Sequence, residues 1–206
     1  IDVGGGSTEL ILLSKGKLVD KWSFNIGTLR MTLGKVKEKH WKELDVWVDH
    51  FKGKYTPLLG IGSGGNINTI QKHFVKRKEQ EVYLSDLQKT FDALNGLTLD
   101  ERILKYGFRP DRADVIVPAA QIFMHIMKRL NIETLFVPKV GLGDGMIHEM
   151  YDKMTKNALT FIKSSYEETY FLRLAVCRQY GLCTKTASLF YLHGFCLYRR
   201  SAAVVV

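Results

Sequence analysis

The chain has 206 residues, 46% hydrophobic and 25% charged, with 30 basic against 21 acidic side chains and a net charge of +9. This composition excludes a disordered or collagen-like chain, and no apolar run reaches the ~18 residues of a membrane-spanning helix. Three cysteines form neither a paired framework nor a zinc spacing, so free thiols in a reducing, cytoplasmic compartment are expected, and the positive balance suits a polyanionic partner.

The chain opens at Ile1-Asp2, inside a predicted strand, so an upstream segment is expected. Asp2-Val3 then leads into Gly4-Gly5-Gly6-Ser7-Thr8-Glu9. Three glycines leave no Cβ near the backbone, and a phosphate can sit directly on the peptide N–H groups. Ser7 and Thr8 add hydroxyl donors, while Asp2 and Glu9 flank the loop with carboxylates that suit Mg²⁺ and its waters. The plain alternative is a tight glycine turn between two strands. Residues 8–13 are apolar and extended, Ser14-Lys15-Gly16-Lys17 is a turn, and residues 18–25 alternate with period two. The loop therefore joins antiparallel strands instead of opening a helix, and the GxxxxGK[ST] spacing of a P-loop is absent.

A helix is expected over residues 35–52, where Trp41, Leu44, Val48 and Phe51 recur at helical spacing, so these aromatics are read as core. A buried strand at 57–61 precedes a second glycine loop, Gly62-Ser63-Gly64-Gly65-Asn66, and a helix from Ile67 to Phe74. The basic cluster from Lys72 to Lys78 reads as a solvated helix end. Ser85 with Gln88 and Thr98 with Glu101 form capping boxes for helices ending near Gly96 and Gly107. Arg109 to Asp114 is a loop leading into an apolar helix through Leu130, in which His125 is read as packed. A strand at 134–137, a third glycine loop from Gly141 to Gly145 and a helix from Met146 to Tyr151 complete the pattern. Strand, glycine loop and helix thus recur twice after the opening hairpin. That is an α/β layout with its loops gathered at one sheet edge, where ligands usually bind. Gly60, Gly62 and Gly65 spell G-x-G-x-x-G, but the preceding hairpin argues against a dinucleotide fold.

Taken together, the loops resemble those of the actin-like (ribonuclease H-like) phosphotransferases, and within them the exopolyphosphatase / guanosine-pentaphosphate phosphatase family. The matching segments are Asp2 to Glu9, Asn25 to Thr32, Gly62 to Asn66, Arg112-Ala113-Asp114 and Gly141 to Gly145. The resemblance implies a mixed sheet flanked by helices over residues 1–153, with 154–206 as a basic tail containing all three cysteines. It implies Mg²⁺-assisted attack of water on the terminal phosphate of polyphosphate or guanosine pentaphosphate. Asp2 and Glu9 would hold the metal. Gly4, Gly5, Gly6, Ser7, Thr8, Gly64, Gly65, Asn66 and Arg112 would contact phosphate, Arg112 alternatively pairing with Asp111 or Asp114. The family's N-terminal lobe, with its first phosphate loop and water-activating glutamate, has no counterpart in this sequence. The base is therefore expected upstream of Ile1, the missing lobe as a partner, and self-association through exposed apolar surface; no membrane or specific nucleic-acid partner is expected. Two other readings stay open: an ATP-binding kinase lobe of the same fold, and a non-catalytic polyanion-binding module. For the tail, packing on the lobe or absence of order comes first, then a shifted reading frame, then recruitment of a polyanion.

Overall fold

The computed structural model describes residues 1–75, 80–154 and 203–205. β1 (Asp2–Val3), β2 (Thr8–Ser14) and β3 (Lys17–Phe24) form an antiparallel meander. The β2–β3 turn needs a left-handed backbone at two successive residues, and Lys15 (φ 50°) and Gly16 (φ 74°) supply it. β4 (Leu58–Ile61) and β6 (Thr134–Phe136) pair in parallel, and β5 (Glu81–Tyr83) closes the edge antiparallel to β6. The final strand, β7 (Ala203–Val205), lies between β2 and β4, antiparallel to the first and parallel to the second. β1 shares that rank, because Asp2 also bridges Ser63 in parallel beyond the end of β4. Across the sheet the order is therefore β3, β2, β1 with β7, β4, β6, β5.

Strand alternation separates two apolar layers. Ile1, Val3, Leu10, Leu12 and Phe24 join the main core, whereas Ile11, Leu13, Ile61 and Phe136 form a second cluster. The main core is built around α7 (Ile116–Leu130), whose apolar residues bury nearly all round, from Ile116 and Ala119 to Phe123, Ile126 and Met127. Around it pack α1 (Thr28–Thr32), α2 (Glu38–Phe51), α3 (Gly65–Phe74) and α4 (Leu84–Asn95). His125 sits on the α2–α7 seam, as its packed reading requires. Its Nε2 lies 2.7 Å from Asp45 Oδ1 and its ring 4.6 Å from that of Trp41, while Arg129 clamps Asp49 with bonds of 3.0 and 2.6 Å.

α5 (Leu99–Tyr106) starts at the expected box: Thr98 N–H donates to Glu101 Oε2 at 2.7 Å, and Gly107 ends the helix at φ 65°. Two expected boundaries are corrected. α4 opens one residue before Ser85, with Tyr83 N–H donating to Asp86 Oδ2 at 2.9 Å, while Gln88 pairs along the helix with Asp92. β5 and α1 carried no periodic signal, being 3 and 5 residues long. The third glycine loop is largely helical: α8 (Leu142–Met154) begins inside it, with Gly141 N–H donating to Asp144 Oδ2 at 2.9 Å. Ala203–Val205 of the tail join the sheet; the expectations for residues 155–202 and 206 lie outside the described residues. The short α6 (Pro110–Ala113) occupies the Arg109 to Asp114 segment, with proline at its first position. No described helix is long and apolar enough to cross a membrane.

Candidate functional site

The triglycine loop closes on itself through a single bond, from Gly4 N–H to Ser7 O at 2.9 Å. Its carbonyls are taken by the start of α1. Thr28 N–H donates to Gly4 O at 3.0 Å, Leu29 N–H to Gly5 O at 3.0 Å, and Arg30 Nε to Gly6 O at 2.6 Å. The opening amides of a helix have no partner within it, so they are free to hold a neighbouring loop. Fastening the carbonyls on one side leaves the other side to the amides. Among the described residues, the N–H groups of Gly5, Gly6 and Ser7 meet no protein acceptor.

The protein's own sterics do not demand glycine in the middle of this loop. None of Gly4, Gly5 and Gly6 has a positive φ. A Cβ on Gly6 would meet nothing within 4 Å, and one on Gly5 would meet only the Leu29 side chain, 2.9 Å away and half exposed. The missing side chains open a surface instead of relieving a turn. At Gly4, by contrast, a Cβ would come within 3.2 Å of the backbone Ser7 O, so the turn itself favours glycine there.

Asp2 and Glu9 stand directly opposite each other in the β1–β2 register, on one face of the sheet. Glu9 Oε1 accepts from Ser7 Oγ at 2.6 Å and from Ser23 Oγ at 2.8 Å. Asp2 lies against the second glycine loop: a Cβ on Gly64 would come within 2.6 Å of Asp2 Oδ1, and Gly64 has φ 95°. Both facts require glycine there. Two facing carboxylates repel unless a cation sits between them. Magnesium typically takes one or two carboxylates and completes its shell with water and phosphate oxygens, so this donor set fits the ion. Among the described residues no third His, Cys, Asp or Glu joins them.

The second loop is joined to the first by Asn66, whose Nδ2 donates to Val3 O at 2.7 Å. Arg112 lies across Gly65, its Nη1 where a Cβ would be 3.0 Å away, and reaches Asn66 Oδ1 at 3.5 Å. Its Nε is also 3.6 Å from Asp111, so the pairing and the approach to the loop coexist. The expected residues Asp2, Gly4, Gly5, Gly6, Ser7, Glu9, Gly64, Gly65 and Arg112 thus lie on two adjoining loops and the helix start beside them.

Two of the expected phosphate contacts are corrected. Thr8 is fully buried and its hydroxyl donates to Ile26 O at 2.7 Å, because position 8 faces the core side of β2. Asn66 is 5% exposed with its side chain spent on Val3 and Arg112. Both brace the loops. Asn66→Leu is expected to leave the Val3 carbonyl unpaired and to cost about 1–3 kcal/mol, read as a lower urea midpoint at unchanged slope. Gly27 and Arg30 are absent from the expected site, although the Asn25 to Thr32 match pointed at that segment. Their part depends on α1 folding back over the loop, which sequence spacing does not reveal.

A mixed sheet with helices packed on it and two glycine loops meeting at its edge is the actin-like fold. The sequence profile of the Ppx/GppA phosphatase family matches residues 1–154, and the chain belongs to that family. Among its curated relatives, a guanosine-5′-triphosphate,3′-diphosphate pyrophosphatase of Vibrio campbellii is 24% identical over 173 residues, covering 76% of this chain and 34% of that protein. The corresponding protein of Photobacterium profundum is also 24% identical, with 75% and 34% coverage. The chain thus spans about a third of the length of these relatives. The Ppx/GppA family member of Aquifex aeolicus has the same fold, with a TM-score of 0.57 at 23% identity over 74% of this chain and 55% of that one. An exopolyphosphatase from Cytophaga hutchinsonii gives 0.56 at 25% identity, with 74% and 56% coverage.

Proposed function

We propose that this chain is the phosphate-holding lobe of a phosphohydrolase that removes the terminal phosphate of inorganic polyphosphate or guanosine pentaphosphate. The observation that carries this reading is the triglycine loop, with its carbonyls fastened, its amides unengaged and no steric need of its own for Gly5 and Gly6. The names of the curated relatives and of the Cytophaga structure support the substrate class.

In this reading the N–H groups of Gly5, Gly6 and Ser7 bind the oxygens of the terminal phosphate, and Arg112 holds charge on the chain beyond it. Asp2 and Glu9 hold Mg²⁺, which when bound neutralises charge on the phosphate oxygens. Attack of water on the terminal phosphorus forms one P–O bond as the anhydride P–O bond to it breaks, and the shortened chain or nucleotide leaves with the bridging oxygen. The protein contributes positioning and fixed dipoles more than covalent chemistry. The water proton needs a base, and Asp2 and Glu9 are committed to the ion. The reading therefore places the base outside the described residues, on the lobe expected upstream of Ile1.

The test is binding and turnover side by side. The purified 206-residue chain should bind long-chain polyphosphate in a Mg²⁺-dependent manner and release little phosphate. Asp2→Asn should weaken that binding by about tenfold or more, the loss of one charge-assisted contact. Unchanged binding in both Asp2→Asn and Glu9→Gln would overturn the site. Turnover by the chain alone would place a base within it, and tighter binding of ATP than of polyphosphate would replace the substrate class by that of a kinase lobe.

A further inference from the structure

Arg112 is held by little of its own. Its Nη1 reaches Asn66 Oδ1 at 3.5 Å and its Nε reaches Asp111 at 3.6 Å, both long contacts. Its guanidinium nevertheless has a well-defined seat. A Cβ on Gly65 would meet Nη1 at 3.0 Å, Nη2 at 3.1 Å and Cζ at 3.2 Å, three nearly equal distances, so the planar group lies flat over the glycine. A long side chain with many rotamers keeps such a seat only where its backbone is fixed. α6, which carries Arg112, is only 4 residues long and supplies little rigidity by itself.

The backbone beside Arg112 is fixed from α5. Arg102 Nη1 donates to Ala113 O at 2.9 Å, on the residue that follows Arg112. Its Nε donates to Leu94 O at 3.1 Å, in the last turn of α4. Leu94 and Ala113 are both fully buried, so both ends of this bridge are anchored in the core. One guanidinium thus spans carbonyls from the segments before and after α5, which a rigid fork of donors can do and a single ammonium cannot. Asp114 adds a charge beside it. Its Oδ1 is buried without a hydrogen-bond partner, and its pull opposes the lowering of the Arg102 pKa by burial. Packing does not account for this cation: α5 buries no residue completely, and its apolar contacts with the core come from Ile103 and Tyr106.

We propose that Arg102 is a positioning residue for Arg112: by tying Ala113 O to the end of α4, it fixes the backbone from which Arg112 reaches over Gly65 towards the bound anion. The inference rests on the reading of Arg112 as a phosphate contact and extends the site to α5.

A double-mutant cycle on the 206-residue chain tests it, with long-chain polyphosphate titrated in the presence of Mg²⁺ at several salt concentrations. Arg112→Gln should weaken binding by about tenfold and reduce the slope of log affinity against log salt by about one, because one cation fewer meets the polyanion. Arg102→Met should weaken binding by about fivefold in the otherwise unchanged chain and by less than about twofold beside Arg112→Gln, since its effect passes through Arg112. A residue that merely supports the fold would cause equal losses in both backgrounds; that result, or no loss in either, overturns the proposal. Should Arg102→Met unfold, Arg102→Lys takes its place in the cycle with the same expected pattern, because it keeps the charge beside Asp114 but spans only one carbonyl. Unchanged binding by Arg112→Gln, where Asp2→Asn weakens it, overturns the proposal and leaves the triglycine site standing. Unchanged binding by Asp2→Asn and Glu9→Gln as well overturns both.

Discussion

Gly27→Ala is expected to displace the triglycine loop, lower stability by about 3 kcal/mol or more, and weaken polyphosphate binding by at least about tenfold. The reason is position, not backbone conformation. Gly27 has φ −147° and ψ 159°, extended geometry that any residue adopts. A Cβ there, however, would lie 2.4 Å from Gly5 O, 2.5 Å from Gly6 C and 2.6 Å from Gly5 C. All three are backbone atoms of the loop, so no side-chain rotation relieves the clash. Either the loop or α1 must move, and each movement breaks the bonds from Thr28, Leu29 and Arg30 that hold the loop carbonyls. Overpacking costs about 1–3 kcal/mol, and carbonyls left unpaired add a comparable amount. Gly96→Ala is the control: its Cβ would meet nothing within 4 Å, at φ −85°, and should be neutral or slightly stabilising. Urea unfolding with binding titrations on both variants checks the pair. Equal midpoints would mean that the loop is held from elsewhere.

The second large effect is on pH dependence. Ile1 is fully buried, and burial lowers the pKa of its α-amino group from 8.0 to about 5, against the opposing pull of the Asp2 and Glu9 charges. In the unfolded chain the amine keeps its proton up to about pH 8; in the folded chain it releases it above about 5. Between these values the unfolded state binds more protons, so stability rises with pH. The contribution is complete above pH 8 and is lost as pH falls towards 5, and three pKa units correspond to about 4 kcal/mol. His73 acts with the same sign, because burial and neighbouring Lys72 lower its pKa below 6.5. Urea midpoints of the 206-residue chain between pH 5 and 8, taken with a chelator so that no cation occupies Asp2 and Glu9, should climb steadily. A flat profile would mean that the amine is solvated.

Much of the site was legible because its chemistry is local. Glycine runs, flanking acids and a hydroxyl fall within eight consecutive residues from Asp2 to Glu9, and the hairpin after them follows from period two and a Lys-Gly turn. The helices with strong apolar periodicity or a complete capping box, α2, α5 and α7, stand close to where their patterns put them. Thr8 and Asn66 were misread for one shared reason. A polar side chain beside a glycine loop has the same sequence signature whether it faces a ligand or the core. Only the strand alternation at Thr8 and the approach of Val3 to Asn66 decide between the two.

By itself, then, the sequence determined the family and the α/β class, and singled out the loop proposed to receive a phosphate, since each depends on short-range spacing and on what residue types can do. The tertiary structure alone decided that α1 fastens that loop through Gly27, that Asp2 and Glu9 face each other, and that Ala203–Val205 lies in line with Ile1. These are contacts between segments from 5 to about 200 residues apart, set by sheet register and by backbone atoms whose partners no local pattern names.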